Sequence, residues 1–206
     1  MLFGGFDNST LEVRASSRKG GRRIRGRFPY NRKAVLSDGG KTGRPKKEQF
    51  APGAFTYSLE SPADIHLLVG HSFDKPLASK NNGTLTFTDT PEALTLDAEI
   101  VPEVADTSYA RDAFALIGSG LAIGLSPGFR IPPPAAVPPD HAEIVEEENP
   151  RLGRALIRTI LQAILFELSI VTRPAYDEAN VEEQRSWNVS PILGTRRIVP
   201  LNRWRL

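Results

Sequence analysis

Apolar and polar residues alternate with a period of two in several short stretches of this 206-residue chain, and that rhythm commits it to a fold built on sheets. Leu85 and Phe87 alternate with Thr84, Thr86 and Thr88, and Leu94, Leu96, Ala98 and Ile100 alternate with Thr95, Asp97 and Glu99. Asp89-Thr90-Pro91-Glu92 between them reads as a hairpin connection. Beyond Gly120, Leu121, Ile123 and Leu125 share one face and Ala122, Gly124 and Ser126 the other, which puts Ser126 among small residues. Two short apolar runs have the length of buried strands. The first, 65–71, ends at His71 and is followed by a turn-like Ser72-Phe73-Asp74-Lys75-Pro76; the second, 166–171, contains a single charge, Glu167.

Helical period is confined to two places. Residues 107–117 carry Tyr109, Ala113, Phe114 and Ile117 on one stripe, with Asp106 or Thr107 as N-cap and Gly118 as the stop. Residues 54–59 allow one or two further turns after Pro52-Gly53. The expected architecture is therefore α+β or mainly β: a barrel-like, mostly antiparallel sheet with a few helices.

The length and the 40% hydrophobic content suit one domain, expected over 23–178. Residues 1–22, rich in Gly, Ser and Arg, read as a flexible basic arm, 30–47 as a long loop, and 179–206 as a loosely packed C-terminal tail. The domain is interrupted by an insertion at 131–150. Its prolines, 131–139, deny the backbone both helix and central strand, and the acidic 143–148 prolongs the surface excursion.

Cysteine is absent, which excludes a disulfide framework, a thiolate metal site and a cysteine nucleophile and fits a reducing compartment, the cytoplasm. The first ten residues lack the pattern of a secretory signal, and no apolar stretch is long enough for a membrane span. Charge is unevenly spread: residues 1–50 hold 13 Lys/Arg against 4 Asp/Glu, and the remainder 13 against 20. Such a basic block is either a solvated arm or a docking segment for an acidic partner or nucleic acid.

The chain has no phosphate-binding G-x-x-x-x-G-K-[ST], no H-E-x-x-H and no metal-ligand spacing, so no cofactor is expected. With three histidines, His66, His71 and His141, a histidine-assisted hydrolase has few arrangements open to it. A nucleophilic serine needs a base in reach and a carboxylate to orient that base, and Ser126, His71 and Glu167 are the candidates. Each also has a plain structural explanation: a polar strand end, a packed small residue, a glutamate paired with a cation such as Arg173. Gly124-Leu125-Ser126-Pro127-Gly128 matches G-x-S-x-G literally, but Pro127 and a proline-rich loop follow it where a nucleophile elbow needs a helix. Its glycines allow close backbone approach, with oxyanion-binding N–H groups a candidate role near Gly128 to Arg130.

Five segments in order across roughly 26–175 resemble the tailed-phage prohead protease family, itself similar in structure to the herpesvirus capsid-assembly proteases. They are Glu48-Gln49-Phe50-Ala51-Pro52-Gly53-Ala54-Phe55, then Leu67-Leu68-Val69-Gly70-His71 with Lys75-Pro76-Leu77, then Ala115-Leu116-Ile117 at the helix end. Gly124-Leu125-Ser126-Pro127-Gly128-Phe129 and the stretch from Leu165 to Ala175 complete the set. The resemblance implies His71 as general base, Ser126 as nucleophile and Glu167 as the acidic third member, with Asp74 in reserve. It departs from the family at Pro127, where an aliphatic residue is usual, and in the 131–150 insertion.

What the resemblance implies is a serine endopeptidase without cofactor. Its substrate would be the scaffolding portion of the major capsid protein, or a separate scaffold, inside the assembling procapsid in the bacterial host cytoplasm. Self-cleavage is part of that expectation, and self-association into a dimer, as in the herpesvirus relatives, is left open. Neither a membrane nor nucleic acid is an expected partner. The alternative is a catalytically inactive capsid-assembly or scaffold protein of the same fold.

Overall fold

The computed structural model describes residues 2–3, 10–15, 20–122 and 124–172. The strands β1 (Leu2–Phe3), β2 (Thr10–Ala15), β3 (Arg22–Pro29), β4 (Ala34–Ser37) and β5 (Lys46–Phe50) come first. Helix α1 (Thr56–Glu60) leads to β6 (His66–Val69), β7 (Ser72–Ser79), β8 (Leu85–Asp89) and β9 (Ala93–Ile100). Then follow α2 (Pro102–Ala105), α3 (Ser108–Gly118), β10 (Gly124–Arg130), α4 (Pro139–Ala142), β11 (Glu143–Glu147), β12 (Leu156–Ile160) and β13 (Ile164–Val171). The β8–β9 hairpin and α3, with its Thr107 side-chain cap, form where the periodicity put them, and β13 forms where the apolar run around Glu167 did.

With 46% strand and 15% helix the fold is mainly β, as expected, but the described residues do not close into a barrel. The strands divide into three sheets, ordered β1-β10-β13-β6-β7, β11-β12-β5-β4 and β2-β3-β9-β8. Among the described residues two pairs are parallel, β13 with β6 and β12 with β5, and the third sheet is wholly antiparallel. An aromatic cluster ties the sheets together. Phe50 of β5 packs against Phe28 of β3, with centroids 5.5 Å apart, and against Phe129 of β10 at 4.9 Å, while Phe55 closes the group at 5.0 Å from Phe50. All four rings are fully buried, and their edge-on and tilted contacts suit the ring quadrupoles.

Three expectations shift. Thr10–Ala15, read as part of a flexible arm, is a strand paired antiparallel with β3, because Leu11 and Val13 pack against the core. The expected loop at 30–47 contains β4, paired with β5. The acidic 143–147 is a strand on the edge beside β12 rather than a loop. The expectations for 173–206, including the C-terminal tail, lie outside the described residues.

Tertiary pairing also rearranges the charge. Arg23 and Arg25 of β3 both donate to Asp97 of β9, holding its carboxyl below the ordinary range, and Arg44 and Lys47 pair with Glu147 and Glu148 at 2.7 and 2.9 Å. These residues of the basic N-terminal quarter thus pair with the acidic remainder, which reduces the charge free for a docking segment. Arg158 of β12 binds Glu143 of β11 and, at 2.9 Å, the buried Glu48 of β5, joining the insertion to the sheet. Replacing it by methionine takes away the half-buried cation facing the buried Glu48; we expect Arg158→Met to cost about 2–3 kcal/mol, read by urea unfolding, and a change under 0.5 kcal/mol would refute that account.

Candidate active site

Sheet geometry assembles the site. In the antiparallel pair of β10 and β13, Ser126 lies opposite Ser169 and Gly128 opposite Glu167, so these four residues share one sheet face. The other face of the same strands carries Leu125, Leu168 and Ile170 into the core. Ser126 is thus in a strand interior, not at a strand-to-helix elbow, which confirms that the G-x-S-x-G match is coincidental.

The chain delivers His71 to this face through a tight turn. Val69 of β6 is the partner of Ser72 of β7, leaving Gly70 and His71 as a two-residue connection, both at φ +61°. Positive φ at both central residues is what a type I′ hairpin requires, and its twist matches that of the strands. The sequence pointed instead to a turn at Ser72–Pro76; Gly-His is an uncommon I′ pair, so the signal was weak. Two backbone donors secure the turn: the Gly70 N–H reaches the Ile170 carbonyl at 3.0 Å and the His71 N–H reaches Ser169 Oγ at 2.9 Å.

So held, the imidazole places Nδ1 2.7 Å from Glu167 Oε1. The Glu167 carboxylate is completely buried, and its second oxygen, Oε2, accepts the Ser169 hydroxyl at 2.7 Å. A charge removed from water in this way is tolerable only with hydrogen bonds at both oxygens, and both are present. An Nδ1–H donated to Glu167 fixes the tautomer that leaves Nε2 as a base. The His71 side chain keeps 21% of its surface exposed, whereas Ser126 keeps 1%.

Gly128 has its own reason to be glycine. A Cβ there would stand 2.8 Å from Glu167 Cδ and 2.9 Å from Cγ, nearer still to Oε1, so the missing side chain is the space the carboxylate occupies. This is a different use from the oxyanion role considered from the sequence. We expect Gly128→Ala to push Glu167 off His71 and lower stability by about 2–3 kcal/mol, with activity falling in parallel. Shortening the acid in Gly128→Ala/Glu167→Asp should restore part of the stability in a double-mutant cycle; strictly additive losses would contradict the packing argument.

The other candidates stand apart. Asp74 is exposed on β7. His66 is in register with Glu167, but its Nε2 lies 3.5 Å from Asp64 and its ring meets Phe73 edge-on. His141 sits in α4, exposed beside Asp140. Beside Gly70 an apolar recess of about 220 Å³ is lined by Val69, Ala113, Leu116, Ala122, Ile170 and Val171 among others, room for an aliphatic side chain one residue from His71. No group of His, Asp or Glu among the described residues could hold a metal ion, and no helix among them is long and apolar enough to cross a membrane.

No curated protein and no solved structure matches the chain. One family model does match, and it extends over nearly the whole length. Residues 9–190 fit the caudovirus prohead serine proteases, and the chain belongs to that family.

Proposed function

We propose that this chain is a serine endopeptidase of procapsid maturation whose nucleophile is Ser126, whose general base is His71 and whose orienting acid is Glu167. The observation that carries the reading is the fully buried Glu167 carboxylate bound to His71 Nδ1 at 2.7 Å on the sheet face that also bears Ser126. Family membership supports peptide hydrolysis in capsid maturation.

In the first half-reaction Ser126 Oγ adds to the scissile carbonyl while its proton passes to His71 Nε2. The imidazolium is stabilised by Glu167, which stays ionised. Collapse breaks the C–N bond, and Nε2 returns the proton to the departing amine. Water, activated by the same nitrogen, then releases the acyl group from Ser126. Preorganisation is what the fold contributes: three strands and a two-residue turn set the groups, so little remains to be ordered when the peptide binds.

The substrate we assign is the scaffolding portion of the major capsid protein or a separate scaffold, cleaved inside the procapsid in the host cytoplasm, with self-cleavage afterwards. The near-complete burial of Ser126 is the one observation that favours the inactive assembly protein instead. Co-expression with the neighbouring capsid protein, wild type against Ser126→Ala, separates the two by intact mass. Shortened capsid protein with the wild type alone supports the protease; full-length protein in both supports the inactive assembly factor, and shortening by both would remove Ser126 from the mechanism.

A further inference from the structure

We infer that Ser169 is a positioning residue of this site: its single hydroxyl couples the backbone of the His71 turn to the carboxylate of Glu167. The inference rests on the serine-protease reading and extends it to a residue to which the sequence assigned no role.

The hydroxyl acts in both directions at once. It accepts the His71 backbone N–H at 2.9 Å and donates its proton to Glu167 Oε2 at 2.7 Å. The donor direction is fixed by chemistry, because a backbone N–H can only donate and an ionised carboxylate can only accept. Ser169 is fully buried, so no water competes for either bond. Glu167 Oε1 in turn accepts from His71 Nδ1, which closes a ring: His71 backbone, Ser169, Glu167, His71 side chain.

That ring has two consequences. His71 holds a left-handed conformation that a residue with a Cβ adopts at some cost, and the bond to Ser169 helps keep it there. The bond to Oε2 prevents the carboxylate from rotating and shares its charge, which sets how strongly Glu167 favours the imidazolium. A buried serine bound only for packing would do neither. Position adds weight, since Ser169 is the direct cross-strand neighbour of Ser126.

The test needs no knowledge of the cleaved peptide. A fluorophosphonate reacts by forming an Oγ–P bond at the active serine and breaking P–F. Fluoride leaves, and the serine proton passes to the base. The second-order rate of labelling would be measured against pH by intact mass for the full chain as wild type, Ser126→Ala, Ser169→Ala and Ser169→Thr, each with its melting temperature. We expect Ser169→Ala to remain folded and label about 10- to 100-fold more slowly, as befits loss of a hydrogen bond to a charged group. Its acid limb should move to higher pH, because a carboxylate without its Ser169 donor holds the imidazolium more tightly. Ser169→Thr, which keeps the hydroxyl, should recover most of the rate.

Labelling of Ser169→Ala within twofold of wild type, or an unmoved acid limb, would overturn the inference. So would a Ser169→Ala chain that fails to fold, since the hydroxyl would then be a structural requirement of the core. If the wild type is not labelled, or Ser126→Ala is labelled equally, it is the serine-protease reading that fails, which is a distinct result.

Discussion

Ser126→Ala is expected to fold normally and to lower peptide cleavage by about 10⁶-fold, the scale seen when a triad nucleophile is removed. The substitution deletes one atom from a small side chain on the interior strand β10, and the ladder to β13 does not depend on it. The loss is large because no other group can replace covalent attack: His71 would have to activate a water in a position shaped for a side-chain oxygen. Cleavage of purified capsid protein, followed by mass spectrometry, measures the rate, and thermal melting checks the fold. A residual rate within a hundredfold of wild type would mean that hydrolysis proceeds by another nucleophile.

Glu167→Gln is expected to cost about 10⁴-fold in rate with less than a twofold change in KM, the effect of replacing a triad carboxylate by its amide. The amide keeps the volume of the acid but has one acceptor oxygen where the site uses two. If that oxygen faces Ser169, the amide N–H₂ meets His71 Nδ1, forces the other tautomer and places a proton on Nε2, where a lone pair is needed. If it faces His71, the amide donates to Ser169 Oγ, and no negative charge remains to stabilise the imidazolium. Both orientations disable the base. A Glu167→Gln enzyme within tenfold of wild type would show that this buried carboxylate is structural, and single-turnover kinetics would locate which step it serves.

The sequence was most informative where a side-chain period coincided with an element. The hairpin of β8 and β9 and helix α3 were legible because each buries one regular stripe. The three candidate residues were legible as chemical types, and the family resemblance selected them from a larger set. Less visible were the elements whose apolar stripe is short or stays exposed. β2 and β11 are short edge strands, and the glycine-rich setting of the first and the acidic, proline-flanked sequence of the second resembled loop. The turn at Gly70-His71 escaped because its type is set by pairing between Val69 and Ser72, a relation between strands.

By itself, then, the sequence determined a mainly β chain without cysteine chemistry, the candidate residues Ser126, His71 and Glu167, and the family order of their segments. Tertiary structure alone decided that three open sheets form among the described residues in place of a barrel, that Arg23, Arg25, Arg44 and Lys47 are paired with acids 72 to 103 positions away in the chain, and that Gly128 is the space for a carboxylate. It also decided that Ser169 joins the two ends of the His71–Glu167 pair. The physical reason is common to all of these: periodicity and propensity are local quantities, whereas register, charge pairing and close approach are set only when strands distant in sequence meet.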